Sequence, residues 1–173
     1  MLLIAIAITC CSCADDSVPS PQVDRKLQEQ PSPNTINVSD RKLSPNVSKP
    51  RQEDNVVDTI VIHFVSDVVK NPHAPYSVDR IAGIFEEYRV SAHYLINRDG
   101  RVLRLVDEGR VAFHAGKGSL PSRPDRENRL NEHSIGIELM AIGSKNDMKA
   151  FINANAYARI DAQHLGFTDK QYS

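Results

Sequence analysis

After position 13 the chain contains no cysteine; its three, Cys10, Cys11 and Cys13, sit together near the start. No disulfide is therefore left to staple the folded part. An excess of charge of one sign is also lacking: 21 Lys and Arg stand against 22 Asp and Glu, a formal net charge of −1. Phosphate backbones are bound through clustered Lys and Arg, so this balance excludes nucleic acid as the expected partner. No apolar run reaches the roughly 20 residues needed to span a bilayer, and no internal repeat is present. With 40% hydrophobic and 25% charged residues, the 173-residue chain has room for one domain with a core.

The start is different in kind. Residues 2–8 form an unbroken apolar run that leads into small residues, the pattern of a secretory signal. The cysteine cluster behind it resembles a bacterial lipoprotein signal, in which a cysteine after a small residue is acylated. Cys13, between Ser12 and Ala14-Asp15-Asp16, is the expected lipid-anchor position. No Lys or Arg precedes the run, and a plain cleaved signal or a short membrane tether is the other reading of residues 1–13. Residues 14–55 are rich in Ser, Pro, Asn, Asp, Lys and Gln, with apolar residues singly spaced, and predict a disordered linker. The sequons Asn37-Val38-Ser39 and Asn46-Val47-Ser48 fall in it and read as chance in an Asn/Ser-rich stretch.

Order is expected from Val56 onward. Ile60-Val61-Ile62-His63-Phe64-Val65 has the continuous β-branched and aromatic character of a strand buried on both faces. Asn71, Pro72 and Pro75 mark a loop, after which Ser77 caps a helix with Ile81, Ile84, Phe85 and Tyr88 on its buried face. Residues 92–96 and 102–106 predict two strands joined through Asn97-Arg98-Asp99-Gly100, where the Asp-Gly pair supplies the positive φ of a tight hairpin turn. Residues 134–140 alternate, with Ile135, Ile137 and Leu139 on one face and Ser134, Gly136 and Glu138 on the other. Strands mixed with helices predict an α/β fold: a central mixed β-sheet flanked by helices. Thr168-x-x-Gln171 is a capping box that opens a helix shortly before Ser173, so the domain is expected to be incomplete at its C-terminus.

Four residues stand out chemically. His63, near the carboxyl end of the most buried strand, suits a zinc ligand or a hydrogen-bonded core histidine. His114, in Ala112-Phe113-His114-Ala115-Gly116, lies where glycine permits close approach of a ligand, or is a turn histidine without a role. Glu138 is out of place in an apolar strand; its carboxyl either serves proton transfer or lies on a solvated outer face. His93, beside Tyr94, lines a site or bonds within the sheet. His73, His133 and His164 fall in polar loops and receive no role.

In combination these segments say more. Ile-Val-Ile-His63-Phe, then Val90-Ser91-Ala92-His93-Tyr94-Leu95-Ile96, then Ala112-Phe113-His114-Ala115-Gly116, then Asn131-x-x-Ser134-Ile135-Gly136-Ile137-Glu138-Leu139 follow in fixed order. The order closely resembles the zinc-dependent type-2 N-acetylmuramoyl-L-alanine amidases, relatives of phage amidase-lysozymes and peptidoglycan-recognition proteins, over about residues 58–172. The resemblance implies an amidase/peptidoglycan-recognition-like fold, with residues 56–173 as the N-terminal part of the domain. It implies hydrolysis of the amide bond between N-acetylmuramic acid and L-alanine, with peptidoglycan or muropeptide as partner. Under it His63 is the first Zn2+ ligand, Glu138 the catalytic acid/base, and His114 and His93 substrate-binding positions. The remaining zinc ligands, expected as a Gly-His pair and then an Asp-Pro-Gly aspartate or a cysteine, are missing from the sequence. The start of the chain predicts export, as a membrane-anchored lipoprotein or in secreted, cell-wall-associated form, and a monomer is expected. A non-catalytic peptidoglycan-binding module and an inactive truncated fragment are the alternative readings.

Overall fold

The computed structural model describes residues 4–6 and 36–172. In chain order its strands are β1 (Ile4–Ile6), β2 (Val38–Asp40), β3 (Ser48–Pro50), β4 (Thr59–Val65), β5 (Tyr94–Ile96), β6 (Val102–Arg104), β7 (Arg110–Ala112) and β8 (Ser134–Met140). The one long helix is α1 (Val78–Tyr88); α2 (Leu130–His133), α3 (Lys145–Met148), α4 (Ala154–Tyr157) and α5 (Asp169–Tyr172) are single turns. Six strands form one sheet in the order β1-β4-β8-β5-β6-β2, while β3 and β7 make a separate antiparallel pair. Within the large sheet β4, β8 and β5 run parallel, and β5 and β6 are antiparallel. This is the mixed sheet with flanking helices that the alternation of segments predicts. None of the described helices is long and apolar enough to cross a membrane.

The helix α1 forms where its signals place it. Ser77 Oγ accepts the Arg80 N–H at 3.3 Å, and Asp79 sits in the positive first turn. Ile81, Ile84 and Phe85 are buried, packed with Val65, Leu95 and Met140 of the sheet. Tyr88 differs from expectation: it is 44% exposed. The helix stops at Arg89, which turns left-handed at φ 54°, and Phe85 is the last of its buried residues.

The linker reading of residues 14–55 fails over its second half. Residues 14–35 lie outside the described residues, but β2 runs parallel to β6, and the Arg41 and Leu43 amides donate to the Arg104 and Leu105 carbonyls at 3.0 Å. Leu43 and Val47 enter the core beside α1. Two apolar residues are enough here because the backbone ladder to β6 satisfies the polar groups around them. Of the residues read as a signal, Ile4–Ile6 form β1 against β4, Ala5 opposite His63. The others, with Cys10, Cys11 and Cys13, lie outside the described residues.

The connection between β5 and β6 also departs from a two-residue hairpin. It runs over residues 97–101, and only Gly100, at φ 84°, has positive φ; Asp99 does not. The Gly100 amide donates to the Asn97 carbonyl at 3.1 Å, and a Cβ at this glycine would collide with the Lys170 carbonyl oxygen. At α5 the Gln171 side chain accepts the Thr168 amide at 2.9 Å, one half of the expected capping box, while the Thr168 hydroxyl donates to the Arg98 carbonyl at 2.8 Å.

The placement of residues 36–55 inside the fold has a direct consequence. Leu43→Ala is expected to cost about 2–4 kcal/mol of stability, the range for truncating a buried leucine. Denaturant unfolding measures it, and an unchanged midpoint would return this stretch to the status of a tether.

Candidate functional site

Register decides what meets what on this sheet. In the parallel pairing of β4 with β8, His63 stands opposite Glu138; β5 places Leu95 on the other side of the same glutamate. Side chains of directly paired residues share a face. The face carrying Ser134, Gly136 and Glu138 is the buried one, and Ile135 and Ile137 on the opposite face are half-exposed. The solvated-face reading of Glu138 is therefore overturned: its exposure is 0%.

His114 reaches the same face from the loop after β7. Its backbone N–H and that of Ala115 both donate to Asn131 Oδ1, at 3.1 and 2.8 Å, which fixes the turn. Its ring lies over Gly136, where any Cβ would run into the imidazole. From there Nδ1 sits 3.3 Å from His63 Nε2, and Nε2 sits 3.1 Å from Ser134 Oγ. The His63 and His114 rings meet edge to face, with centroids 5.5 Å apart. Burial, with His63, His93 and Arg51 as neighbouring charges, holds the His114 pKa well below the ordinary histidine range.

His93 is fully buried and engaged at both nitrogens. Gly136 N–H donates to its Nδ1 at 3.0 Å, so the ring proton is on Nε2 and donates to the Arg110 carbonyl at 3.1 Å. Its ring packs edge to face on His114 with centroids 6.0 Å apart. Of the two open readings of His93, bonding within the sheet is the one the structure displays. Burial lowers its pKa.

Two further residues support this group. Arg51 fell within the expected linker, so its position gave no reason to single it out. Its guanidinium donates to the carbonyls of Glu108 at 3.0 Å, Arg110 at 2.9 Å and Ser134 at 3.3 Å, and also to that of Glu132. It thereby clamps the ends of β7 and β8 together beneath the histidines. His133 is not in an open loop: it is buried, donating from Nδ1 to the Val56 carbonyl at 3.0 Å while Nε2 accepts from Arg126 at 2.7 Å. His73 is exposed, and His164 accepts the Tyr76 hydroxyl at its backbone carbonyl.

The Glu138 carboxyl is the anomaly. Neither oxygen has a hydrogen-bond partner among the described residues, and burial pushes its pKa up to about 8. A buried acid without a partner carries a desolvation cost that folding alone does not explain. Near neutral pH it is mostly protonated, and a positive charge brought beside it would ionise it. A catalytic zinc is a test of that kind, and it needs about three protein ligands. Among the described residues no group of three or more His, Cys, Asp or Glu is placed to hold a metal, so these residues do not by themselves fit a resident zinc.

Glu138 and His63 thus occupy paired positions on the inner face of a mixed sheet, on an α/β scaffold. The profile of the N-acetylmuramoyl-L-alanine amidase family matches residues 53–173, and the chain belongs to that family, whose members generally depend on zinc. The chain is 43% identical over 76 residues to the 1,6-anhydro-N-acetylmuramyl-L-alanine amidase AmpD of Citrobacter freundii, covering 44% of this chain and 35% of that protein. To the AmpD of Haemophilus influenzae it is 32% identical over 108 residues, covering 56% of this chain and 55% of that protein. The matches thus span between about a third and about half of these relatives. A crystal structure of a selenomethionine AmpD derivative aligns at 29% identity with a TM-score of 0.48, covering 78% of this chain and 68% of that one.

The burial of Glu138 carries a sign that can be measured. Its pKa is 4.5 in the unfolded chain and about 8 in the native one, so the native state keeps a proton that the unfolded chain loses. Its contribution to stability is intact below the unfolded value and falls away as the pH climbs toward the native one, on the order of 5 kcal/mol in all. Glu138→Gln keeps the shape and does not titrate. In chelator-treated protein the variant is expected to lack the parent's decline between about pH 5 and about pH 8 and to be the more stable at the upper end. Thermal unfolding across that range reads both, and parallel curves for parent and variant would show that the carboxyl is partnered.

Proposed function

We propose that the chain cleaves the amide bond between N-acetylmuramic acid and L-alanine in peptidoglycan or in a muropeptide released from it. The observation that carries this reading is the pairing of His63 with Glu138 across β4 and β8, inside the stretch matched to the amidase family, with the carboxyl unsatisfied among the described residues. Amide hydrolysis requires a proton to be removed from the attacking water and one to be given to the departing amine. Glu138, in its ionised form, is the group for both transfers. The water's oxygen bonds to the carbonyl carbon, the carbon–nitrogen bond breaks, and the proton taken from water ends on the L-alanine nitrogen. The muramyl carboxylic acid, which gives up its remaining proton to become the carboxylate, and a free stem peptide leave.

His63 is the residue offered as a zinc ligand in this reading, and His114 and His93 stand behind it on the same face. The apolar run at residues 2–8 and the cysteines after it support export, with Cys13 as a lipid-anchor position or the run removed as a signal. Export would bring a monomeric chain to the cell wall, where its substrate lies. A muropeptide-binding module that does not cleave is the second reading, favoured by the incomplete metal donor set among the described residues.

Zinc content and stem-peptide release from muropeptide, measured on the same purified chain, test the proposal. The parent is expected to release peptide and Glu138→Gln to lower release about 100-fold or more; any zinc the parent holds is expected to persist in Glu138→Gln and to be lost in His63→Ala. Retention of muropeptide without release would establish the binding module. A parent that neither releases nor retains it would sink both readings.

A further inference from the structure

Ser134, His114 and His63 form a hydrogen-bonded line along the buried face of the sheet, and its first member fixes the protons of the rest. Ser134 Oγ lies 2.5 Å from the Leu130 carbonyl oxygen, which can only accept, so the single hydroxyl hydrogen points there. Toward His114 Nε2, 3.1 Å away, the same oxygen has only a lone pair to offer, so that nitrogen is the one carrying hydrogen. A neutral imidazole has one N–H, which leaves His114 Nδ1 an acceptor. The ring is buried, and an imidazole is ordinarily uncharged at neutral pH. Nδ1 faces His63 Nε2 at 3.3 Å, and His63 must therefore donate.

We propose that His114, anchored by Ser134, is a positioning residue that holds His63 as the Nε2–H tautomer and makes Nδ1 its lone-pair nitrogen. The surroundings are built for this. Gly136 leaves the space the His114 ring fills, Asn131 Oδ1 fixes the two amides of the loop that carries it, and the edge-to-face packing of His93 steadies its plane. Both His114 nitrogens are engaged inside the protein, so its ring orients His63 rather than offering a nitrogen to a substrate. Any group that took His63 through Nε2 would first have to break the bond to His114. The inference goes beyond the amidase reading and does not need it, since it concerns which nitrogen His63 offers to whatever binds there.

The test is tautomer assignment by long-range proton–nitrogen correlation in the full chain with 15N-labelled histidine, at neutral pH. In the parent, His63 and His114 are both expected to show a protonated Nε2 and an unprotonated Nδ1. In Ser134→Ala, His114 is expected to lose this preference and the His63 nitrogen signals to shift with it. His114→Ala is expected to release His63 in the same way, and His114→Asn, whose side-chain oxygen stands near the Nδ1 position, to restore its Nε2–H. His93, held by the Gly136 amide and the Arg110 carbonyl, is the internal control and should keep Nε2–H throughout. His63 protonated on Nδ1 in the parent would overturn the proposal, and so would His63 signals unchanged in both Ser134→Ala and His114→Ala. The parent spectrum decides the matter even where a variant fails to fold, and no arm reads peptide release, so failure of the amidase reading leaves this result intact.

Discussion

The site depends on the missing side chain at Gly136. That residue sits in mid-strand, where glycine is ordinarily a weakness because it adds backbone entropy to the unfolded state and packs nothing. Here the vacancy over its Cα is filled by the His114 imidazole, so closely that no Cβ could be accommodated. The backbone of the same residue serves His93: its N–H donates to Nδ1 at 3.0 Å, and its carbonyl accepts the His93 amide at 2.9 Å. One residue without a side chain thus organises two histidines, and through His114 it reaches the third. Alanine at this position would leave β8 a strand and still displace the ring that connects Ser134 to His63.

Against that ordered group stands the carboxyl two residues further along. His93 and His114 have both ring nitrogens matched to partners, whereas Glu138 has neither oxygen matched among the described residues. A fold selected for stability alone would place an apolar residue here, between Leu95 and the β4 strand, as it does on the opposite face of β8. Local inconsistency of this kind is where function is expected to reside. Arg51 illustrates the contrast: it is half-buried, but four backbone carbonyls receive its hydrogens, and it reads as scaffold.

Much of this was legible in the sequence, and the failures have physical causes. Helix α1 and strands β4 and β8 were readable because their apolar periodicity and caps agree with their tertiary roles. His63, His93, His114 and Glu138 could be singled out, but their mutual arrangement depends on strand register, which periodicity does not carry. The faces of β8 were the instructive error of emphasis: small and polar residues suggested an outer surface as one option, yet Ser134, Gly136 and Glu138 face inward because His63 and His114 pack on them. The strands β2 and β3 were missed because they draw on partners far along the chain, β6 and β7, and short edge strands need little hydrophobicity of their own. Arg51 was invisible for the same reason, since its value lies in four carbonyls from residues 108–134.

The location of the polar group also bears on how the sheet is used. Open α/β sheets commonly bind ligands beyond the carboxyl ends of their strands. In this chain that edge is occupied by its own later segment. Gln171 Nε2 donates to the carbonyls of Met140 at 3.0 Å and Ile96 at 3.3 Å, the last residues of β8 and β5. Arg98 donates to the Gln163 carbonyl at 2.9 Å and stacks on Tyr76, with its guanidinium carbon 4.8 Å from the ring centroid. The strand-end carbonyls of β5 and β8 are thereby capped. His63, His114 and Glu138 lie instead along the inner face, beside Ser134 at the start of β8 and on toward its end.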